Sequence, residues 1–221
     1  MIISHSFNFV YIHLEKTGGT TIEHSLEPHL RPEDLLINNW TRIFFDKENY
    51  KLSEHSPTWV AEKWLGDRYN NFKKFSTVRD PVSIMKSMYV YSKGVYEEMY
   101  EGTMHPPEDG SLKAIVYSKK SGYGADGFVD YMFSRGYHCV SPQVDRLGSM
   151  INDGLIVDLT KLNDEWDNIT KWLGMGKVAM IRKNVFNSSS VQFSSDTVNS
   201  IKKNFEKDYD TLPNITGVRW G

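Results

Sequence analysis

The stretch that decides the fold is FVYIHLEKTGGTTIEHSL, residues 9–26. Aromatic and β-branched residues crowd positions 7–13, a composition typical of a buried strand. A Lys-Thr-Gly-Gly-Thr-Thr turn follows at 16–21, and Ile22 and Leu26 then stand at helical spacing. The chain is therefore predicted to begin with a strand, a glycine-containing turn and a helix.

This turn has the chemistry of an anion site. Backbone N–H groups at the start of a helix lack partners within the helix, and the helix dipole places roughly half a positive charge there. Gly18 and Gly19 allow the backbone to approach an anion closely. Lys16 adds a full charge, and Thr20 and Thr21 add hydroxyl donors. The turn is predicted to bind phosphate or sulfate; the alternative is a tight structural turn with an incidental lysine.

The order of residues differs from that of a Walker A loop, G-x-x-x-x-G-K-[ST], in which the lysine follows the glycines. Lys16 precedes Gly18 and Gly19 here, and the Mg²⁺-binding Ser or Thr after the lysine has no clear equivalent. This order argues against an ATPase or GTPase.

A second strand-to-helix junction lies at residues 75–89, FSTVRDPVSIMKSMY. Arg79 ends the strand, Asp80 is a predicted N-cap, and Ser87 follows two helical turns later. The guanidinium and the hydroxyl suit a phosphate, although a structural ion pair of Arg79 is the alternative. Parallel neighbouring strands would bring Lys16 and Arg79 to one sheet edge, where ligands bind in such folds. Two anion sites there imply a ligand with two phosphate-like groups.

Strands alternate with helices along the chain, which predicts an α/β fold with a central, mostly parallel sheet flanked by helices. The predicted strands are 7–13, 73–78 and 155–160, with a short one at 41–45. The predicted helices follow the glycines at 16–21 and then lie at 57–66 (N-cap Ser56, C-cap Gly66), 80–100, 111–120, 124–135, 163–173 (ending at Gly174) and 194–212. The segment 93–127 is rich in glycine, proline and polar residues and is predicted to be a lid or acceptor-binding insertion.

Composition narrows the class of protein. The 221 residues, 39% of them hydrophobic, suffice for the core of one domain over 1–221. A net charge of −2 does not indicate a nucleic-acid partner. Cys139 is the single cysteine, which excludes an intramolecular disulfide. Because no window has the length and apolarity of a membrane span and residues 1–9 lack signal-peptide features, we expect a soluble cytoplasmic protein.

The two motifs resemble those of sulfotransferases that use 3′-phosphoadenosine 5′-phosphosulfate (PAPS), in particular the carbohydrate sulfotransferase branch. The segment IHLEKTGGTT is similar to the loop that holds the donor's 5′-phosphosulfate, and the matching residues are Lys16, Thr17, Gly18, Gly19, Thr20 and Thr21. TVRDPVSIMKS is similar to the segment whose Arg and Ser hold the 3′-phosphate, here Arg79 and Ser87. Ile84 stands where the family has a second arginine.

Weaker similarity covers most of the chain. His55 in SEHSPTW and Gln143 in SPQVDRL match family segments before the second strand and near the third. Arg182 and Lys183 resemble a late Arg-Lys pair that contacts the 3′-phosphate in cytosolic sulfotransferases. The resemblance implies a P-loop NTPase-like sulfotransferase fold.

The resemblance also implies transfer of a sulfuryl group from PAPS to a hydroxyl or amine, with a carbohydrate favoured over other small-molecule acceptors and no metal required. Lys16 would stabilise the leaving group, and His55 would be the base, with Glu15 as the alternative. Gln143 would contact the acceptor. A P-loop nucleotide kinase or NTPase, and a non-catalytic nucleotide-binding protein, are the competing hypotheses. The oligomeric state is left open.

Overall fold

The computed structural model describes residues 1–38, 41, 43–45, 50–100, 109–183 and 188–220. The chain divides into two compact units. The sheet unit comprises 1–79, 143–184 and 210–221, and the helical unit comprises 80–142 and 185–209. The single domain with a lid at 93–127 stays a prediction, and residues 101–108 of that segment lie outside the described residues.

The strands define the sheet unit. They are β1 (Ile2–Ser4), β2 (Phe9–Ile12), β3 (Leu35–Leu36), β4 (Ile43–Phe45), β5 (Tyr50–Leu52), β6 (Lys73–Val78) and β7 (Leu155–Asp158). Five form a sheet in the order β3-β1-β2-β6-β7, and β4 pairs with β5. β2, β6 and β7 are parallel, whereas β1 runs antiparallel to β2 and to β3. Four of the five strands therefore point the same way, which confirms the mostly parallel α/β sheet.

The helices are α1 (Gly19–Leu26), α2 (Thr58–Leu65), α3 (Pro81–Met99), α4 (Gly110–Ser121), α5 (Gly124–Arg135), α6 (Gln143–Leu147), α7 (Met150–Asp153), α8 (Leu162–Leu173), α9 (Ser195–Asn204) and α10 (Glu206–Thr216). Short 3₁₀ turns lie at Glu27–His29, Gly66–Asn71, His138–Val140 and Leu159–Lys161. Among the described residues, no helix combines the length and apolarity needed to cross a lipid bilayer.

Both faces of the sheet are covered, as predicted. Val10 and Ile12 of β2 pack in a core cluster with apolar residues of α2 and α6. Phe9 and Tyr11 point the other way and pack in a second cluster with α1 and α8. This alternation follows from the two-residue period of a strand. The helical unit has a separate core formed mainly by α3, α4, α5 and α9.

Several predicted helix ends are confirmed. The N-cap of α3 is Asp80, whose Oδ2 accepts a hydrogen bond from the Ser83 N–H at 2.8 Å, and Pro81 is its first residue. Gly66 and Gly174 follow the last residues of α2 and α8 with positive φ angles of 57° and 86°. Glycine suits these ends because it has no Cβ to clash.

Two predicted boundaries are wrong. The N-cap of α2 is Pro57 rather than Ser56, because the Ser56 hydroxyl accepts a hydrogen bond from the Ser53 N–H at 2.8 Å and so serves the preceding turn. The helix predicted over 194–212 is two helices, separated at Phe205. Phe205 leaves helical geometry at φ −108° and ψ 25°, and its side chain is buried in the core of the helical unit.

Candidate active site

The carboxyl ends of the neighbouring strands β2 and β6 lie at the same end of the sheet. The strands pair in parallel with Tyr11 opposite Phe75, and each chain then continues into a turn and a helix. The guanidinium Nη1 of Arg79 donates to the Lys16 carbonyl at 3.2 Å. The Lys16 and Arg79 segments therefore lie side by side, as the parallel arrangement requires.

Left-handed backbone conformations shape the loop after β2. Lys16 has φ 61° and Gly18 has φ 91°. A left-handed lysine is uncommon, and such strain is found preferentially at ligand sites. The loop is held by the Thr17 hydroxyl, which donates to the Leu14 carbonyl at 2.8 Å. α1 then begins at Gly19 without a side-chain cap, so its first N–H groups are not bonded by a capping side chain.

Gly19 packs against the ring of His13. A Cβ added at Gly19 would lie 1.9 Å from Nε2 and Cδ2 of that imidazole, so no larger residue fits without displacing the ring. His13 is buried, and its Nδ1 contacts the Glu23 carboxylate at 2.9 Å. Glycine is therefore needed here for packing as well as for any approach of an anion.

The electrostatics of Lys16 reflect this crowded edge. Burial of the ammonium, and next the positive charge of Arg79, lower the pKa of Lys16 to about 8. The two cations are thus close enough to repel one another. A bound anion would offset this repulsion and favour the charged form of Lys16.

The imidazole of His55 is held by the main chain and affected by burial, and its role as the base stays a prediction. Its Nδ1 donates to the His13 carbonyl at 3.0 Å, which leaves the lone pair on Nε2 when the ring is neutral. Burial, and next the positive charge of His13, lower the pKa of His55 to about 4. The ring is therefore neutral at pH 7, and its side chain stays 28% exposed.

Glu15, the alternative base, and Gln143, the predicted acceptor ligand, both bond other residues of the protein. The Glu15 carboxylate is ion-paired with Arg146, and both side chains are almost buried. The Gln143 side chain bonds the main chain of Arg79 twice: Oε1 accepts from the Arg79 N–H at 3.0 Å, and Nε2 donates to the Arg79 carbonyl at 2.8 Å. The predicted roles of Glu15 as base and of Gln143 as acceptor ligand stay predictions.

The segment with Arg182 and Lys183 lies beside the start of α1. The Thr21 hydroxyl donates to the Lys183 carbonyl at 3.2 Å and accepts from the Lys183 N–H at 3.1 Å. Both basic side chains are exposed, and Thr20 is half-buried next to Thr21. Thr21 is therefore a structural contact for this segment in addition to its predicted role.

Ser87 lies in α3 of the helical unit and is buried. Its predicted joint role with Arg79 at a 3′-phosphate stays a prediction. Asp80 is the cap of the same helix, and its Oδ1 also accepts from the Tyr209 hydroxyl at 2.8 Å.

One group of side chains in the described ranges has the spacing of a metal site. Ligand atoms of His13, Glu54 and His55 lie within 4.8 Å of one another. The Nδ1 of His13 is 3.4 Å from Glu54 Oε1 and already contacts Glu23. We therefore interpret this group as a cluster of ionisable side chains beside His55, in which Glu54 lies 3.4 Å from His13 Nδ1 and 3.8 Å from His55 Nε2. The absence of a metal requirement stays a prediction.

Sequence reasoning missed Arg146, Glu54 and Glu23. Arg146 stands three residues after Gln143, a spacing that places both on one face if the segment is helical, but no helix was predicted there. Glu54 directly precedes His55, but nothing in its spacing separates it from a solvated acid.

The comparisons with known proteins do not assign the chain. No protein-family model matches it, and a search of curated proteins finds no significant match.

Proposed function

We propose that this protein is a PAPS-dependent sulfotransferase that transfers a sulfuryl group to a hydroxyl or amine acceptor, with a carbohydrate as the favoured class. The observation that carries the proposal is the pairing of β2 with β6, which brings the Lys16 and Arg79 segments to one sheet edge. Two adjacent cations beside an uncapped helix start suit a ligand with two anionic groups.

In this proposal the loop from Lys16 to Thr21 binds the 5′-phosphosulfate of the donor through its N–H groups and the Lys16 ammonium. Arg79 binds the 3′-phosphate, for which a planar guanidinium is well suited. The main chain of Lys183 bonds Thr21 beside the start of α1, and Lys183 and its neighbour Arg182 add positive charge there. Ser87 is assigned to the 3′-phosphate on the resemblance alone.

The transfer is a single displacement. The acceptor oxygen or nitrogen forms a bond to sulfur while the S–O bond to the 5′-phosphate breaks. The acceptor's proton goes to Nε2 of His55, and the electron pair of the broken bond leaves on the bridging oxygen of 3′-phosphoadenosine 5′-phosphate. Lys16 stabilises the charge that builds on this oxygen, which is a transition-state interaction.

The first test is thermal stabilisation by product-like nucleotides. We expect 3′,5′-ADP to raise the melting temperature clearly more than 5′-AMP at equal concentration, because it can engage both anion-binding segments. The shift should be the same with Mg²⁺ or with EDTA. Labelled sulfate should then pass from PAPS to a pool of carbohydrate acceptors.

The same series separates the competing hypotheses. A nucleotide kinase or NTPase would respond to ATP with Mg²⁺ and hydrolyse it. A non-catalytic binding protein would be stabilised by 3′,5′-ADP but would transfer no sulfate to any acceptor. Equal stabilisation by 3′,5′-ADP and 5′-AMP would rule out the two-site donor.

A further inference from the structure

The short helix α6 contacts both the predicted donor-binding residue Arg79 and the two candidate bases, His55 and Glu15. Gln143, its first residue, bonds the Arg79 main chain through both ends of its amide, at 3.0 and 2.8 Å. Arg146, one turn later, directs its guanidinium to Glu15 and to His55. These contacts all lie within the sheet unit.

Arg146 is a buried connection between the loop and the base. Its Nη2 donates to the His55 carbonyl at 2.6 Å, while Nη1 bonds the Glu15 carboxylate. The Arg146 residue is 8% exposed. A planar guanidinium can serve two acceptors at once in a fixed geometry, which an ammonium cannot do equally well. The ion pair with Arg146 also fixes the position of the Glu15 carboxylate.

We propose that α6 is the positioning element of the active site, with Gln143 setting the main chain of Arg79 and Arg146 setting His55 and Glu15. This inference rests on the proposed function. Gln143 acts on donor binding because it orients a donor-binding residue. Arg146 acts on the chemical step because it orients the base, and neither side chain needs to touch the reacting atoms.

A difference in kinetic effect tests the two roles. In Gln143→Met, we expect the Kd for 3′,5′-ADP to rise about tenfold, with kcat at saturating donor nearly unchanged. In Arg146→Lys, we expect kcat to fall about tenfold or more, because a misplaced base loses near-attack geometry, with the Kd for 3′,5′-ADP unchanged. Arg68→Lys is the matched control, since Arg68 is exposed and its Nε donates to the Leu65 carbonyl of its own helix end at 3.4 Å.

A second readout does not depend on turnover. The charged groups that face His55 are His13, Glu15, Glu54 and Arg146. The positive charge of Arg146 contributes to the low pKa of His55. Nitrogen-15 NMR of the imidazole should therefore show a higher His55 pKa in Arg146→Met and a loss of the single Nδ1–H tautomer. If the Met variant does not fold, Arg146→Lys serves for the tautomer readout alone, because lysine keeps the positive charge.

The outcomes are distinguishable. If wild type neither binds 3′,5′-ADP nor transfers sulfate, the proposed function fails, and the His55 NMR signal alone decides whether Arg146 positions that ring. If wild type is active but Arg146→Lys keeps both kcat and the His55 tautomer, the inference about α6 is overturned. It is also overturned if both variants change the same kinetic parameter.

Discussion

Replacing Lys16 by alanine should lower the rate of sulfuryl transfer by about 100-fold or more. Lys16 follows β2 in a left-handed conformation beside Arg79, where the leaving oxygen of the donor is proposed to lie. Its charge is needed most in the transition state, so the loss should fall mainly on kcat. The measurement is single-turnover transfer from labelled PAPS at saturating donor, where dissociation of product does not limit the rate.

Binding and a second lysine separate this role from general damage. We expect 3′,5′-ADP binding to weaken by only about tenfold in Lys16→Ala, the size expected for one charge-assisted contact. Lys171→Ala is the control, because Lys171 is exposed near the end of α8 and should leave both quantities unchanged. Full turnover in Lys16→Ala would show that this lysine does not act on the leaving group.

The protonation of Lys16 gives this prediction a pH dependence. Burial and the charge of Arg79 lower its pKa to about 8, and the bound anion favours the protonated form. Affinity for 3′,5′-ADP should therefore be nearly constant between about pH 7, above which the ligand's phosphates are fully charged, and about pH 8, and should fall as the pH rises further. Lys16→Ala should remove this decline.

Replacing His55 by asparagine should lower kcat by about 100-fold, within the usual range for loss of a general base. Asparagine keeps a side-chain donor for the His13 carbonyl, which His55 Nδ1 contacts at 3.0 Å, so the local fold should survive. The measurement is turnover of wild type, His55→Asn and the exposed control His29→Asn. Equal turnover in all three proteins would exclude His55 as the base.

The wild-type pH profile has a defined sign. Since burial lowers the pKa of His55 to about 4, the base stays neutral and active at neutral pH, and the rate should fall only as the pH approaches that value. Histidine in the unfolded chain titrates near pH 6.5, so the contribution of His55 to stability is lost as the pH falls from about 6.5 to about 4. In His55→Asn, that part of the acid destabilisation should be absent.

Long, patterned elements could be predicted from the sequence. β6 matches the predicted strand 73–78 at both ends, and β7 ends two residues early because the Asp158 carboxylate accepts from the Thr160 N–H at 2.8 Å and starts a 3₁₀ turn. β4 falls within the predicted strand 41–45, of which Arg42 lies outside the described residues. These segments are marked by apolar, aromatic or β-branched residues, which identify even the three-residue β4.

The strands β1, β3 and β5 were not predicted, because their few apolar residues form no recognisable strand pattern. β1, β3 and β5 have three, two and three residues, and pairing with a neighbour defines each of them. The split at Phe205 is likewise a tertiary effect, since burial of one ring overrides a continuous amphipathic pattern.

For the site, the sequence predicted that the segments of Lys16 and Arg79 would lie side by side. It did not predict which side chains hold those segments in place. The juxtaposition of Lys16 and Arg79 followed from the parallel topology. The ion pair of Glu15 with Arg146 joins positions distant in sequence. The contact of Gly19 with the His13 ring was missed because Gly19 was explained by its backbone freedom alone. Such contacts depend on the packed fold and have no signature in local spacing.

Calorimetric titration of wild type and Arg79→Met with 3′,5′-ADP and 5′-AMP tests the central claim most directly. The account predicts that wild type binds 3′,5′-ADP about 30-fold more tightly than 5′-AMP, the factor for one charged phosphate contact of about 2 kcal/mol. In Arg79→Met the two affinities should become nearly equal, while Arg68→Met behaves as wild type. A wild-type ratio near one, or an unchanged ratio in Arg79→Met, would contradict the account.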